Sequence, residues 1–463
     1  MSTAEHVHFI GIGGYGMSAI ARVMLEMGYR VTGSDVAQQE LTRKLAEKGA
    51  HIYIGHEETH VEGADMVVFS TALSKDNVEL QAAERLNIPL LHRSEMLARL
   101  MNAKKGVAVA GAHGKTTTSS MIALIMEQCG TDPTYIIGGE IMNVGSNAKA
   151  GHGDYVVAEA DESDGSFLKY YPAMAIVTNI EADHLENYDG NFDNLKKAYA
   201  TFLSQVKEDG GAVVCLDDEY VRELLPDVKA NVTTYGIEQD ADYMATDIEL
   251  GDRKVAFHVL HRGEDLGRME LSIPGLYNVY NALAATIVCL EAGIPFASIA
   301  RAIQEFRGAK RRFQVLGEIN DILVIDDYAH HPTEIQATVS AAKSTDKHII
   351  AIFQPQRYSR TFFLLDQFSR AFHDADEVII TDIYAPAGEK EIEGVHSRRL
   401  VDMIRENSNA NVTYIPTKEE VLTHLLDVVQ PGQLIITMGA GDIWKTSHAL
   451  AQALRDQEAA SSS

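Results

Sequence analysis

Three cysteines in 463 residues are too few for a disulfide framework. Cys129, Cys215 and Cys289 are far apart, and no CxxC pair offers a zinc site. Each lies in an apolar stretch, as free thiols of a reducing compartment do. Positive charge is also scarce: 40 Lys and Arg stand against 66 Asp and Glu, a formal net charge of -26. Such a chain repels a phosphate backbone, so nucleic acid is not expected as a partner. No apolar run approaches the ~18 residues that suggest a membrane span. The opening MSTAEHVHFI has no basic n-region of the kind a signal peptide carries. A soluble, cytoplasmic protein with no membrane partner is the expectation.

The length predicts two to four domains. Over the first hundred residues, strands (His6 to Ile10, Arg30 to Ser34, Met66 to Ser70) alternate with helices (Ser18 to Met27, Gln39 to Lys48). That alternation predicts a parallel sheet covered on both faces. The polar stretch Asn102 to Lys105 reads as a linker, and Gly308 to Arg312 as a second one. Between them lies another α/β segment, whose strand-like stretches in 231–273 suggest antiparallel edge strands. A third unit follows, with strands Ile322 to Asp326, Ile349 to Phe353, Val378 to Thr381 and Leu434 to Met438. The fold class is therefore α/β in three domains. The N-terminal domain (1–103) is Rossmann-like. The central domain (104–309) is P-loop ATPase-like, with a mostly parallel sheet and antiparallel edge strands. The C-terminal domain (310–463) is again Rossmann-like, and its tail from Gln457 is expected to be disordered.

The strand Gly106 to Ala110 enters the turn Gly111-Ala112-His113-Gly114, and Lys115-Thr116-Thr117 then opens a helix. Such a turn points backbone N–H groups at one spot beside a helix N-terminus, a ready site for phosphate. Lys115 supplies a point charge for β- and γ-phosphates, and Thr116 a hydroxyl for Mg²⁺. The turn is shorter than the common P-loop, because Val109 stands where the first glycine would be. Two later strands end in acids: Glu159-Ala160-Asp161-Glu162-Ser163-Asp164, and Glu181-Ala182-Asp183-His184. Carboxylates at the C-terminal ends of strands beside a P-loop are where Mg²⁺ is held. Magnesium prefers oxygen ligands, so His184 would be an unusual but tolerable one.

Directly after the first strand, Gly11-Ile12-Gly13-Gly14-Tyr15-Gly16 fits the GxGxxG fingerprint, and Asp35 ends the second strand where a ribose-binding acid is expected. Read literally, this is an NAD site. Its physical content is only that a diphosphate can approach the backbone, and a UDP-sugar carries the same diphosphate. Two further clusters follow strands: Asp326-Asp327-Tyr328-Ala329-His330-His331, and Gln354-Pro355-Gln356-Arg357-Tyr358-Ser359-Arg360. Two arginines three apart can clamp a carboxylate or phosphate.

These motifs together resemble the Mur ligase family over almost the whole chain. The matching runs are HFIGIGGYGMS, GAHGKTTT, EADESDGSF, NIEADHLENY, GLYNVYNALAA, RRFQ, DDYAHHPTE, QPQRYSRT and GAGDIW. The resemblance implies a three-domain, ATP-dependent ligase that joins L-alanine to the lactyl carboxylate of UDP-N-acetylmuramate through an acyl phosphate, in peptidoglycan precursor synthesis. It implies that Gly11, Gly13, Gly14 and Gly16 hold the diphosphate of the sugar nucleotide, with Asp35, Ser70, His92 and Arg93 completing that site. ATP falls to Gly111, His113, Gly114, Lys115, Thr116 and Thr117, with Asn278 and Asn281 at the adenine and Arg312 and Asp327 closing over it. Thr116, Glu159 and His184 are the implied Mg²⁺ ligands. His330, Arg357 and Arg360 face the muramyl and amino-acid end, and Lys115, Glu159, His184, His330, Arg357 and Arg360 form the implied catalytic set. Two departures stand out. Gln356 replaces the family's more usual histidine. The stretch Ala198 to Phe202 offers no lysine where several relatives carry a carbamylated one. The alternative within the family is a sister ligase that attaches a recycled murein tripeptide to the same sugar nucleotide.

Overall fold

The computed structural model describes residues 5–70, 73–74, 76–251, 253–386 and 389–461. It contains three sheets. The first is built from β1 (His6–Ile10), β2 (Arg30–Asp35), β3 (His51–Ile54), β4 (Met66–Phe69) and β5 (Leu90–His92), in the order β3-β2-β1-β4-β5. All four pairings are parallel. β3 and β5 are short strands that the alternation in the sequence did not mark.

The second sheet has ten strands. They are β6 (Lys105–Ala110), β7 (Thr134–Ile141), β8 (Ser146–Lys149), β9 (Tyr155–Glu159), β10 (Met174–Val177), β11 (Gly211–Cys215), β12 (Asn231–Gly236), β13 (Tyr243–Gly251), β14 (Lys254–His261) and β15 (Glu264–Leu271). Their order is β15-β14-β13-β12-β11-β10-β6-β9-β7-β8. The expected antiparallel edge is only partly found. β12 runs parallel to β11, and β13 parallel to β12. β14 and β15 are joined by Arg262-Gly263, both at positive φ (49° and 84°). That is the type I′ turn of an antiparallel hairpin. At the other edge β8 is antiparallel to β7.

The third sheet comprises β16 (Gln314–Ile319), β17 (Ile322–Asp327), β18 (His348–Phe353), β19 (Glu377–Ile380), β20 (Val412–Tyr414) and β21 (Gln433–Met438), ordered β16-β17-β21-β18-β19-β20. Only β16 is antiparallel. Alternate residues of its strands feed two separate cores. Leu323, Ile325 and Phe353 pack with Phe368 and Leu400 on one face. Val324, Ile350 and Ile352 pack with Leu425 and Leu454 on the other. This is the doubly wound arrangement.

The chain forms two compact units. One runs to Asp247 and takes in Phe257–Met269 and Tyr280–Phe306; the other holds Ile248–Ala256, Glu270–Val279 and everything from Arg307. In the first unit a single core passes through both sheets, from Phe9, Ile20 and Met101 to Phe167 and Phe202. The linker expected at Asn102 to Lys105 is correspondingly short. A helix ends at Asn102, β6 starts at Lys105, and Lys104 Nζ donates to the carbonyls of Gly151 (3.2 Å) and Gly153 (2.8 Å). The expected disorder from Gln457 is not found either: the last helix runs Trp444–Ser461. Its later residues are Ala, Gln, Arg and Glu, strong helix formers, and Leu450, Ala451 and Leu454 anchor it on the sheet. No described helix is long and apolar enough to cross a membrane.

Candidate active site

Strand register decides where the chemistry collects. In the first sheet Ile10 lies opposite Ser34, Asp35 opposite Ile54, and Phe69 opposite His92. The glycine turn, Asp35, Ser70, His92 and Arg93 therefore leave the same sheet edge. Gly11 (φ +75°) and Ile12 donate their N–H groups to one acceptor, the Ser34 carbonyl, at 2.8 and 3.0 Å. Gly14 then caps the helix Tyr15–Glu26. Asp35 does not present its carboxylate to solvent. It is buried, and Oδ2 accepts the Gly13 N–H at 2.8 Å. A Cβ on Gly13 would stand 2.7 Å from that oxygen, so Asp35 shapes the loop. His92 caps the helix Arg93–Asn102, with Nδ1 2.7 Å from Ser94 Oγ. Its Nε2 is buried and has no hydrogen-bond partner among the described residues. Burial, then the neighbouring Arg93 charge, hold the ring below the ordinary histidine range. A neutral ring nitrogen is thus left for a ligand to engage.

In the second sheet Val109 pairs with Glu159 on one side and Ala110 with Val177 on the other. The phosphate turn is consequently flanked by both acidic strand ends. Gly111 sits at φ +134°, where a Cβ would be 2.1 Å from Thr178 Oγ1. Gly114 sits at φ +85°, where one would be 2.5 Å from Asn281 Oδ1. Thr178 and Asn179 pin the turn from below: Thr178 Oγ1 and Asn179 Nδ2 donate to the His113 carbonyl at 2.6 and 3.0 Å, and Asn179 Oδ1 accepts the His113 N–H at 2.8 Å. Asn281 Oδ1 accepts from Thr118 at 3.1 Å, which locks the first turn of the helix Lys115–Gln128. Thr116 to Met126 of that helix are buried without a break, so the turn rests on a fixed base.

Lys115 and Thr116 open this helix, with Thr117 next in line. Lys115 Nζ donates to both oxygens of Glu162, at 2.8 and 2.9 Å, and to the Gly111 carbonyl. Burial works against the ammonium, but Glu162 and Asp161 outweigh it and hold Lys115 above the usual lysine range. Burial raises Glu162 in turn, against the pull of Lys115. Glu159 ends β9, and its Oε1 accepts the Gly138 N–H at 2.7 Å. A Cβ on Gly138 would lie 2.8 and 2.9 Å from the two carboxylate oxygens, so this cradle requires glycine. His184 is held at φ +55° and donates its backbone N–H to Asp183 Oδ1 at 2.9 Å. A left-handed histidine costs energy and is a mark of functional sites. The donor set suits Mg²⁺: a hydroxyl at Thr116, a carboxylate at Glu159 and the strand-end acids are hard oxygen ligands.

The third sheet repeats the pattern. Asp327 and Phe353 both lie opposite Met438, which brings the Tyr328–His331 turn, the Gln354–Arg360 segment and the Gly439–Trp444 turn to one edge. Asp327 accepts the N–H groups of Phe313 (2.6 Å) and Ala329 (2.7 Å). Burial, only partly opposed by Arg312, lifts its pKa to about 6. His330 is lowered to about 4, first by burial and then by the Arg360 charge, although Glu334 pulls the other way. Arg312 Nη1 lies 3.3 Å from Glu334, and its guanidinium sits over the Tyr328 ring. Arg357 adopts φ +70°, bonds the Tyr384 carbonyl at 3.0 Å and caps the helix Tyr358–Phe363 that carries Arg360. Gln356 makes a parallel bridge to Tyr384. Asn278, by contrast, donates to the Pro274 carbonyl at 2.6 Å.

Some residues matter here that the motifs did not single out. Glu162 is the partner of Lys115. Thr178 and Asn179 support the phosphate turn. Gln354 Oε1 accepts the N–H groups of Asp442 (2.9 Å) and Ile443 (3.1 Å). Arg311, at φ +61°, pairs with buried Asp326 at 2.8 Å and donates to the Gly439 carbonyl. Each stands within or beside a motif, but the residue type alone does not say which neighbour it supports.

Three α/β sheets in series, the second built around a phosphate turn, define a phosphate-binding α/β architecture. The profile described as Mur ligase family, catalytic domain, matches residues 6–105; Mur ligase middle domain matches 109–289; Mur ligase, glutamate ligase domain, matches 311–441. The chain belongs to the Mur ligase family. It is 50% identical over 460 residues, 99% of each chain, to the UDP-N-acetylmuramate--L-alanine ligase of Pelotomaculum thermopropionicum. The crystal structure of the UDP-N-acetylmuramate-alanine ligase of Thermotoga maritima matches with a TM-score of 0.82 at 29% identity, covering 98% of this chain and 99% of that one. A murein peptide ligase from Psychrobacter arcticus shares the fold, with a TM-score of 0.70 at 24% identity over 97% of this chain and 99% of that one.

Proposed function

We propose that this chain joins L-alanine to the lactyl carboxylate of UDP-N-acetylmuramate, at the expense of ATP, in the cytoplasmic synthesis of peptidoglycan precursor. The observation that carries the reading is the phosphate turn. Its lysine is oriented by a buried carboxylate, its two glycines are irreplaceable on steric grounds, and an acidic strand end flanks it on each side. In this reading residues 1–103 bind the sugar nucleotide, 104–309 bind ATP, and 310–463 close on ATP and bind the amino acid.

A carboxylate is a poor acylating agent and must be activated. Lys115 moves from Glu162 to the β- and γ-phosphates and stabilises the charge that spreads during transfer of the γ-phosphoryl group to the lactyl carboxylate. Thr116, Glu159 and His184 would hold Mg²⁺, which supplies further neutralisation of the phosphates when bound. The backbone N–H groups of the glycine turn meet the diphosphate of the sugar nucleotide, and the free Nε2 of His92 is placed to add a contact. Arg357 and Arg360 orient the carboxylate-bearing end of the substrates. The amine of L-alanine then attacks the acyl phosphate, and phosphate leaves with its bonding pair to give the amide. His330, beside Arg360 and lowered to about 4, stays neutral and so adds no positive charge against the incoming amine.

The rival within the family would use a murein tripeptide as nucleophile. A competition among L-alanine, glycine, L-serine and the tripeptide at equal concentration separates the two. One methyl distinguishes alanine from glycine, worth about 10–200-fold, and an apolar pocket rejects an added hydroxyl by only about 10². L-Alanine should win, with glycine and L-serine consumed weakly and the tripeptide not at all. Preference for the tripeptide would make this the peptide-recycling enzyme.

A further inference from the structure

The face of the first sheet opposite Asp35 carries a polar cluster that the proposed reaction does not use. Glu79, from the helix Val78–Arg85, is completely buried. Its carboxylate accepts from the Ser34 hydroxyl at 2.5 Å and meets His60 Nδ1 at 2.6 Å and His56 Nδ1 at 3.2 Å. His8 Nε2 lies 3.7 Å away, beyond hydrogen-bond distance, with no other partner among the described residues. His8 Nδ1 and His6 Nε2 both contact Thr32 Oγ1, at 2.8 and 2.9 Å. Tyr53 stacks on His60 with ring centroids 4.0 Å apart. Burying an anion is costly unless its lone pairs are satisfied, and here two segments of chain, β2 through Ser34 and the stretch holding His56 and His60, converge to satisfy one carboxylate.

Among the described residues, the hydrogen-bonded link from Glu79 to the substrate loop runs through Ser34. The hydroxyl of Ser34 is held by Glu79, and its carbonyl alone receives the N–H groups of Gly11 and Ile12. Ser34 is also the last residue of β2 before Asp35, whose carboxylate fixes Gly13 from the other side. The glycine turn is thus gripped at two successive residues, one on each face of the sheet.

We propose that Glu79 is a positioning residue for the sugar-nucleotide loop: through the Ser34 hydroxyl it fixes the carbonyl on which Gly11 and Ile12 hang, and His56 and His60 hold its carboxylate in place. The proposal rests on the reading that the glycine turn binds the diphosphate of UDP-N-acetylmuramate. It extends the binding machinery to a side chain that never touches the ligand.

The test is steady-state kinetics of Glu79→Gln, Ser34→Ala and the double variant, with Gly14→Val as the site control. Ser34→Ala removes one hydroxyl and keeps the backbone, so it carries the test even where Glu79→Gln folds poorly. Loss of a hydrogen bond to a charged group is worth about tenfold in binding. Each single variant should raise KM for UDP-N-acetylmuramate by about that factor and leave KM for ATP within about twofold. Because Glu79 reaches the loop through the Ser34 hydroxyl, which also meets His56 Nδ1 at 3.1 Å, the double variant should be no worse than the worse single one. Unchanged KM for the sugar nucleotide in Ser34→Ala, equal rises in both KM values, or multiplicative effects in the double variant would overturn the proposal. If Gly14→Val also leaves the sugar-nucleotide KM unchanged, the assignment of the loop itself is wrong, and the proposal falls with it.

Discussion

Lys115 shows how a single residue can be both resting and poised. Its ammonium already has a full set of partners in Glu162 and the Gly111 carbonyl. Phosphate oxygens must therefore outcompete a buried carboxylate, which only a multiply charged ligand does well. Removing one preorganised charge contact typically costs about 10²–10³ in rate. Lys115→Ala should lower kcat by that amount while UDP-N-acetylmuramate still binds, as measured by phosphate release and by titration of the sugar nucleotide. At the third sheet two neighbouring groups oppose each other. His330, lowered to about 4, makes the folded state weaker as pH falls from about 6.5 toward 4, because the unfolded chain takes up that proton first. Asp327, raised to about 6, makes it stronger as pH falls from about 6 toward 3.8, because the folded state binds the proton first. The two contributions oppose each other. His330→Asn should remove one of them, so the urea midpoint of the variant, taken relative to that of the parent, should rise as pH falls from about 6.5 toward 4.5. Lys115 was legible in the sequence because a Gly-Lys-Thr-Thr run after a strand has few other uses. Glu162 was not, because it is one of four acids in six residues and only the fold selects it.

At the scale of the element, the phosphate turn is fixed by glycines whose substitution has predictable and separable costs. Gly111→Ala would combine a strained backbone, about 1–3 kcal/mol, with a clash against Thr178 Oγ1. Gly130 also has positive φ (+79°), but nothing lies within 4 Å of its would-be Cβ. Both alanine variants should lose thermal stability, yet only Gly111→Ala should raise KM for ATP, by tenfold or more. A rise of similar size in Gly130→Ala would mean that the turn responds to global stability and not to its own geometry. The motif-bearing strands were legible because each apolar run breaks off at glycine or polar residues: Gly11, Gly111, Glu159, Thr178, Asp326 and Gln354. The short strands His51–Ile54 and Leu90–His92 were not, since three or four residues carry no period. Nor was the parallel direction of β12 and β13 legible, because local alternation does not say which way a strand runs beside its neighbour.

For the molecule as a whole, three strand-end edges carry the residues that the motifs predicted, one edge per sheet. The order of units followed from the order of motifs. How tightly neighbouring sheets join did not, because it depends on contacts far apart in sequence. Lys104 on the Gly151 and Gly153 carbonyls and Arg93 beside Asp161 and Asp164 (3.6 and 3.5 Å) are examples. The central claim is that the glycine turn, the phosphate turn and the arginine-bearing third sheet serve one coupled reaction. The most direct measurement is phosphate release from ATP with each substrate omitted in turn. The account predicts release only when UDP-N-acetylmuramate and L-alanine are both present, one phosphate per amide formed, and no response to NAD. ATP hydrolysis that ignores both substrates, or micromolar NAD binding at the glycine turn, would contradict it.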